Sequence, residues 1–266
     1  HLPFHQQSCN HVIINHLIKK EGGRKASMPF AMLLKIEALF LRLYHFAVRL
    51  PVRFWRLVVH LKNGAAGLFR GKNNRTSVAV WWIELTFYLL DLLGVPDLYE
   101  TLMDFSKWKT RPLSERELQL AKSVFGNTIQ FRRVRIDEGA HIACKRNRLC
   151  YVSFYTINSW GAMRDEIFIH ELVHVWQYQM MGAVYIPRAL LAQKTLMGYN
   201  YGGVSGLKAC LKNGGNLQDF NLEQQADIVS DYFSIREDWF PRWGNGTKED
   251  LAVYEQFMQQ IRPAFA

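Results

Sequence analysis

The densest run of chemistry-bearing residue types in the chain is His170-Glu171-Leu172-Val173-His174. Two histidines at i and i+4 lie one helical turn apart on the same face, so both imidazoles can reach one tetrahedral Zn²⁺. Glu171 stands beside them, where its carboxylate can take a proton from a metal-held water. The flanking Ile167, Phe168, Ile169, Val175 and Trp176 predict a buried helix. Two imidazoles and a carboxylate buried there without a ligand would be costly.

A third ligand must come from elsewhere. No histidine follows His174, so the downstream-His pattern of metzincins is absent, and nine acids from Asp219 to Glu255 remain. Among them Glu223 and Asp227 lie four apart on a predicted helix whose apolar stripe is Leu222, Ala226, Val229 and Phe233. Both can then point the same way, Glu223 to the metal and Asp227 to the far ring nitrogen of a ligand histidine. That second contact fixes the imidazole tautomer.

These side chains need elements to hold them. The motif helix is predicted over 164–181, the ExxxD helix over 221–236 and a last helix over 248–261. Residues 113–125 read as a helix with Ser114 as cap and Glu117 closing a capping box. The alternation of 129–136 predicts an exposed strand, and 149–157 a second, central one. Upstream, 28–60 is apolar and basic, with Lys35, Arg42, Arg49 and Arg56 on one helical face, and Pro51 should end or kink it. Residues 63–76 read as a Gly/Asn-rich linker. The apolar stretch 78–95 predicts a buried or half-buried helix, with Glu84 and Asp91 on one face, free to pair with the basic stripe and stopped at Gly94-Val95-Pro96.

The net charge of +10 sits at one end. Residues 1–75 carry 13 Lys/Arg against two acids, and the other 191 residues carry 20 against 21. No zinc-finger, RNP or helix-turn-helix pattern accompanies the basic end, so no nucleic-acid partner is expected. Residues 28–62 are too charged for a normal signal-peptide core and poor as a span. They either lie on an anionic membrane surface as a peripheral contact or pack their apolar side on the rest of the protein. Residues 1–27 differ in texture, and Lys20 to Lys25 suit a translated ribosome-binding sequence ahead of Met28, so they read as a non-native leader. Of four cysteines none forms a CxxC. Cys144 and Cys150 either face each other across a hairpin or are unpaired thiols.

Four stretches resemble a known family: RPLSERELQLAKSVFG, FIHELVHVWQYQ, YNYGG and FNLEQQADIVSDYF. Together they resemble the bacterial zincin-like metallopeptidases called Vgr-related or Rhs-associated proteins, over about residues 111–236. HELVH followed by NLEQQAD also resembles the gluzincin arrangement, in which the Glu of an ExxxD helix completes the zinc site. The resemblance implies a zincin fold and a link to bacterial secretion or toxin delivery. Residues 28–110 have no counterpart in it.

The expectation is therefore an α+β, mostly helical zincin-like domain with a small β-sheet over 105–266, preceded by a helical basic region over 28–104. It would be a zinc metallopeptidase acting on a peptide or protein, with zinc polarising the scissile carbonyl and Glu171 moving the proton. The oxyanion donor is sought among Tyr199, Tyr201 and Tyr232. Gln177 and Gln225 are expected to make local hydrogen bonds only. Two alternatives stand beside this: a membrane-targeted effector whose metallo domain acts after delivery, and a catalytically idle zinc-binding module. A cytoplasmic location or export by a non-Sec route follows, with no clear signal peptide.

Overall fold

The computed structural model describes residues 28–69, 75–107, 110–140, 144 and 149–262; the expected leader 1–27, Cys9 and the turn 145–148 lie outside them. The chain divides into two compact units, His1–Tyr44 and His45–Ala266. The first contributes the opening turns of helix α1 (Met28–Phe69), on which Leu33 and Phe40 are exposed.

From His45 onward α1 is joined by α2 (Arg75–Leu92) and α3 (Val95–Ser106). Pro51 does not end α1, which continues through it to Phe69. One lost backbone hydrogen bond is offset by anchors on either side: Arg49 and Arg56 donate to the carbonyls of Gln179 and Met180, and Arg53 to that of Asp91. Most of the expected linker is helical as well. A Cβ at Gly64 would overlap the Trp81 indole, so this glycine serves a close helix approach rather than a flexible joint. Gly94, at φ 73°, does separate α2 from α3.

The remaining elements are α+β, mostly helical around a small sheet: β1 (Thr110–Pro112), α4 (Glu115–Phe125), β2 (Arg135–Asp137), β3 (Tyr151–Ser153), β4 (Thr156–Asn158), α5 (Asp165–Met181), α6 (Tyr185–Gln193), α7 (Gly203–Lys212), α8 (Leu222–Arg236) and α9 (Leu251–Ile261). Sheet order is β1-β2-β4-β3, with β2 and β4 parallel and the two outer pairs antiparallel. Two sequence expectations change here. Residues 129–136 form a 3-10 turn (Phe131–Arg133) followed by a strand whose Ile136 is buried, not exposed. Residues 149–157 are not one strand but a hairpin turning at Phe154, whose φ is 61°. An aromatic residue rarely takes that conformation. Its ring is held there against Tyr99 and Tyr178.

The core gathers Ile169, Leu172 and Val173 of α5, Ile228 and Val229 of α8, Phe257 of α9 and Phe125 of α4. Helix α8 is buried on every side from Glu223 to Ile235, well beyond a single stripe. Its start is fixed by Asn221, whose side chain accepts from the backbone of Glu223 and Gln224 while Gln224 returns a bond. That capping box places Glu223 in the first turn, where the helix dipole favours an anion. Cys144, Cys150 and Cys210 are free thiols.

Candidate metal centre

Helices α5 and α8 lie against each other, and their facing sides bring together the residues that the spacing singled out. His170 Nε2 and His174 Nε2 are 3.3 Å apart, and Glu223 Oε2 lies 3.5 and 3.4 Å from them. Ligands roughly 2.0–2.1 Å from a zinc ion at tetrahedral angles stand about 3.3–3.4 Å from one another. The triangle therefore has the edges of one tetrahedral face, and two imidazoles with one carboxylate are a zinc-type donor set. His174 and Glu223 are buried while His170 is partly exposed.

Each donor is held from behind. Asp227 Oδ1 takes the Nδ1 proton of His170 at 2.8 Å, and Asp227 Oδ2 in turn accepts from the Trp243 indole. Gln177 Oε1 lies 2.8 Å from His174 Nδ1, and the Gln177 amide donates to Leu222 O and Gln225 Oε1. The free oxygen of Glu223, Oε1, accepts from Gln193 on α6 at 2.8 Å. Both ring Nδ1 atoms thus have acceptors, which turns the two Nε2 atoms toward the shared point.

The electrostatics call for positive charge at that point. Burial pulls the His170 imidazole down, but Asp227 and Glu223 reverse this and carry its pKa up to about 10. His174 is raised too, with Glu223 overcoming burial. Burial also works to raise the Glu223 carboxyl, yet the hydrogen bonds from both histidines hold it well below the usual range.

Glu171 has a different environment. It is buried, and its Oε2 has no hydrogen-bond partner. Burial raises its pKa against the pull of His170 and His174. A buried carboxylate oxygen with no partner is uncommon and points to a ligand or water that it serves.

The tyrosines separate. The Tyr199 ring lies 6.1 Å from that of His170, under the Arg242 guanidinium, and burial with the nearby carboxylates pushes its hydroxyl up to about 12. Tyr201 is engaged elsewhere. Its buried hydroxyl is used by Asp231 at 2.7 Å and Tyr254 at 2.8 Å, which makes it a core residue rather than a donor at the site. Tyr232 bonds Glu255, also away from the site. Sequence reasoning missed Gln193, Arg242 and Trp243, and gave Gln177 too small a part. Only Gln177 carried a readable signal, three residues beyond His174 on the ligand face.

The chain is related in part to a known protein. It is similar to the type VI secretion system spike protein VgrG2b of Pseudomonas aeruginosa, with 35% identity over 136 residues. The matched region is 46% of this chain but 13% of VgrG2b, so the chain spans only a small part of that protein's length. No family model and no solved structure matches it.

Proposed function

We propose that residues 105–266 form a zincin-type, zinc-dependent hydrolase of peptide bonds. The observation that carries this reading is the triangle of His170, His174 and Glu223 beside the unpartnered buried carboxylate of Glu171. Zinc held by the three donors would supply a Lewis acid for the scissile carbonyl and acidify the attacking water. Glu171 takes the proton of that water at Oε2 and returns it to the departing amine. Asp227, Gln177 and Gln193 keep the donors aimed. Tyr199, partly exposed next to His170, donates to the oxyanion, a role for which the engaged hydroxyl of Tyr201 is not proposed.

The likeness to a secretion spike protein supports a second element of the reading. The chain is an effector module that travels with a type VI spike and leaves the cell without the Sec route. Loss of export on disabling that apparatus is the expected result, and unchanged export would remove this element.

Hydrolysis is tested with zinc-loaded wild type and Glu171→Gln on an unfolded protein substrate. The substitution should leave the zinc in place and lower the rate by about 10²–10⁴-fold. Full activity in Glu171→Gln would exclude the role given to Glu171.

A further inference from the structure

Helices α1, α2 and α3, from His45 to Ser106, are inside out. Helix α3 buries Pro96, Asp97, Glu100 and Asp104, while Val95, Leu98, Leu102 and Phe105, at i, i+3, i+7 and i+10, face outward. Along α1, Arg53 and His60 are buried, whereas Val48, Val52, Trp55 and Val59 form an exposed stripe. Helix α2 buries Asp91 and leaves Trp82, Ile83 and Leu89 outside, followed by Leu93. A helix on the surface of a water-soluble protein carries the opposite polarity. Leu98 is 58% exposed and Leu102 56%, against 7% for Asp97 and 2% for Glu100.

The buried charges are matched to one another and to the backbone. Asp97 takes Arg53 at 2.6 Å and Arg133 at 3.0 Å, and Glu100 accepts the Tyr155 amide at 2.7 Å, while the partly exposed Glu84 takes Arg188 at 2.7 Å. A polar inner face whose charges are paired, set under an apolar outer face, is the polarity that hydrocarbon selects. Apolar stripes left exposed on three helices are the kind of surface that marks a membrane or partner site.

Three observations favour lipid as the cover. Among the described residues no single helix is long and apolar enough to cross a membrane, but Val78–Leu92 and Val95–Ser106, bent by 65°, meet the length and composition of a broken span together. Trp55 and Trp82, on the exposed stripes, are of the type enriched at membrane interfaces. From the end of α1 to the start of α2 the sequence carries Lys62, Arg70, Lys72 and Arg75 with no acid among residues 62–75, a charge suited to anionic headgroups.

We propose that this inverted face seats in the hydrocarbon layer of an anionic bilayer, with α2 and α3 inserting as a bent pair and the ion pairs on their inner side, against the rest of the unit. The proposal stands apart from hydrolysis and does not need it.

The test uses the full chain and vesicles of phosphatidylglycerol with phosphatidylethanolamine. The protein should float with the vesicles on a density gradient and resist release by high salt. Brominated acyl chains should quench its tryptophan fluorescence. The double variant Leu98→Glu/Leu102→Glu, which leaves the buried ion pairs untouched, should partition at least about a hundredfold more weakly with an unchanged circular-dichroism spectrum. The quenching is read on wild type, so it decides the matter even if the variant fails to fold. Failure to float, release by salt alone or absence of quenching would each overturn the proposal. A lipid-free dimer abolished by the same double variant would overturn it as well, because a second copy would then cover the face.

Discussion

The imidazole of His170 is held at both nitrogens, by Asp227 on one side and by the convergence with Glu223 on the other. His174 has Gln177 in the place of Asp227. A neutral amide supports the second imidazole where a carboxylate supports the first, so the two positions should differ in strength. Asp227→Asn and Gln177→Ala are both expected to weaken zinc binding, within about 10–100-fold and Asp227→Asn the more, read by competition with a chromophoric chelator. Unchanged affinity would remove these residues from any part in the site. His170, His174 and Glu171 were legible because helical spacing alone sets their geometry, and Glu223 and Asp227 because ExxxD repeats that spacing. Gln193, Arg242 and Trp243 were not legible, since α6 and the segment after α8 reach the site only through tertiary packing. Tyr199 and Tyr201 are two residues apart in one loop, and no sequence rule says which of them faces the histidines.

At the scale of elements, the motif helix is fixed at its far end by a residue that chemistry would overlook. Gly182 follows Met181 at φ 76° and ψ −161°, and a Cβ there would overlap the Asp91 carboxylate, itself beside Arg56. Backbone in that region is essentially confined to glycine and costs other residues about 1–3 kcal/mol. Gly182→Ala should therefore lower the unfolding free energy by at least that amount in a denaturant titration. A neutral effect would contradict both the backbone strain and the overlap with Asp91. The start of α4 offers a pH-dependent counterpart. Burial opposes ionisation of Glu117, but paired bonds from Arg111 and the Ser114 cap hold its pKa down to about 2, against an ordinary 4.5. The folded value lies below the unfolded one, so its stabilisation is complete above pH 4.5 and is lost as the pH falls toward 2. The stability difference between wild type and Glu117→Gln should shrink through that window, and a pH-independent difference would contradict the pairing. The capping box of α4 was readable from Ser114 and Glu117, whereas the hairpin turn was not, because Phe154 carries none of the usual turn chemistry.

Across the whole 45–266 unit, the paired charges do more than fill the interior of the three helices. Asp97 of α3 joins Arg53 of α1 to Arg133 beside the sheet, Arg188 of α6 reaches Glu84 of α2, and Arg49 and Arg56 hold the last carbonyls of the motif helix. These bonds cross the expected boundary at 104/105. Removing one partner of a buried pair costs about 3–5 kcal/mol. Asp97→Asn, which leaves Arg53 and Arg133 without their shared anion, should destabilise the fold by that order; a calorimetric scan matching wild type would show the network to be incidental. The basic stripe and the seven-residue spacing of Glu84 and Asp91 were visible in the sequence. That charge would face inward and the apolar stripes outward was not, because amphipathic spacing alone does not say which face meets solvent.

The most direct measurement is the zinc content of purified wild type and Glu223→Ala by elemental analysis after loading and dialysis. About one zinc per chain in wild type and a marked loss in Glu223→Ala are expected for a centre built by His170, His174 and Glu223. Equal zinc in both would assign the third ligand elsewhere, and none in either would contradict the metal centre altogether.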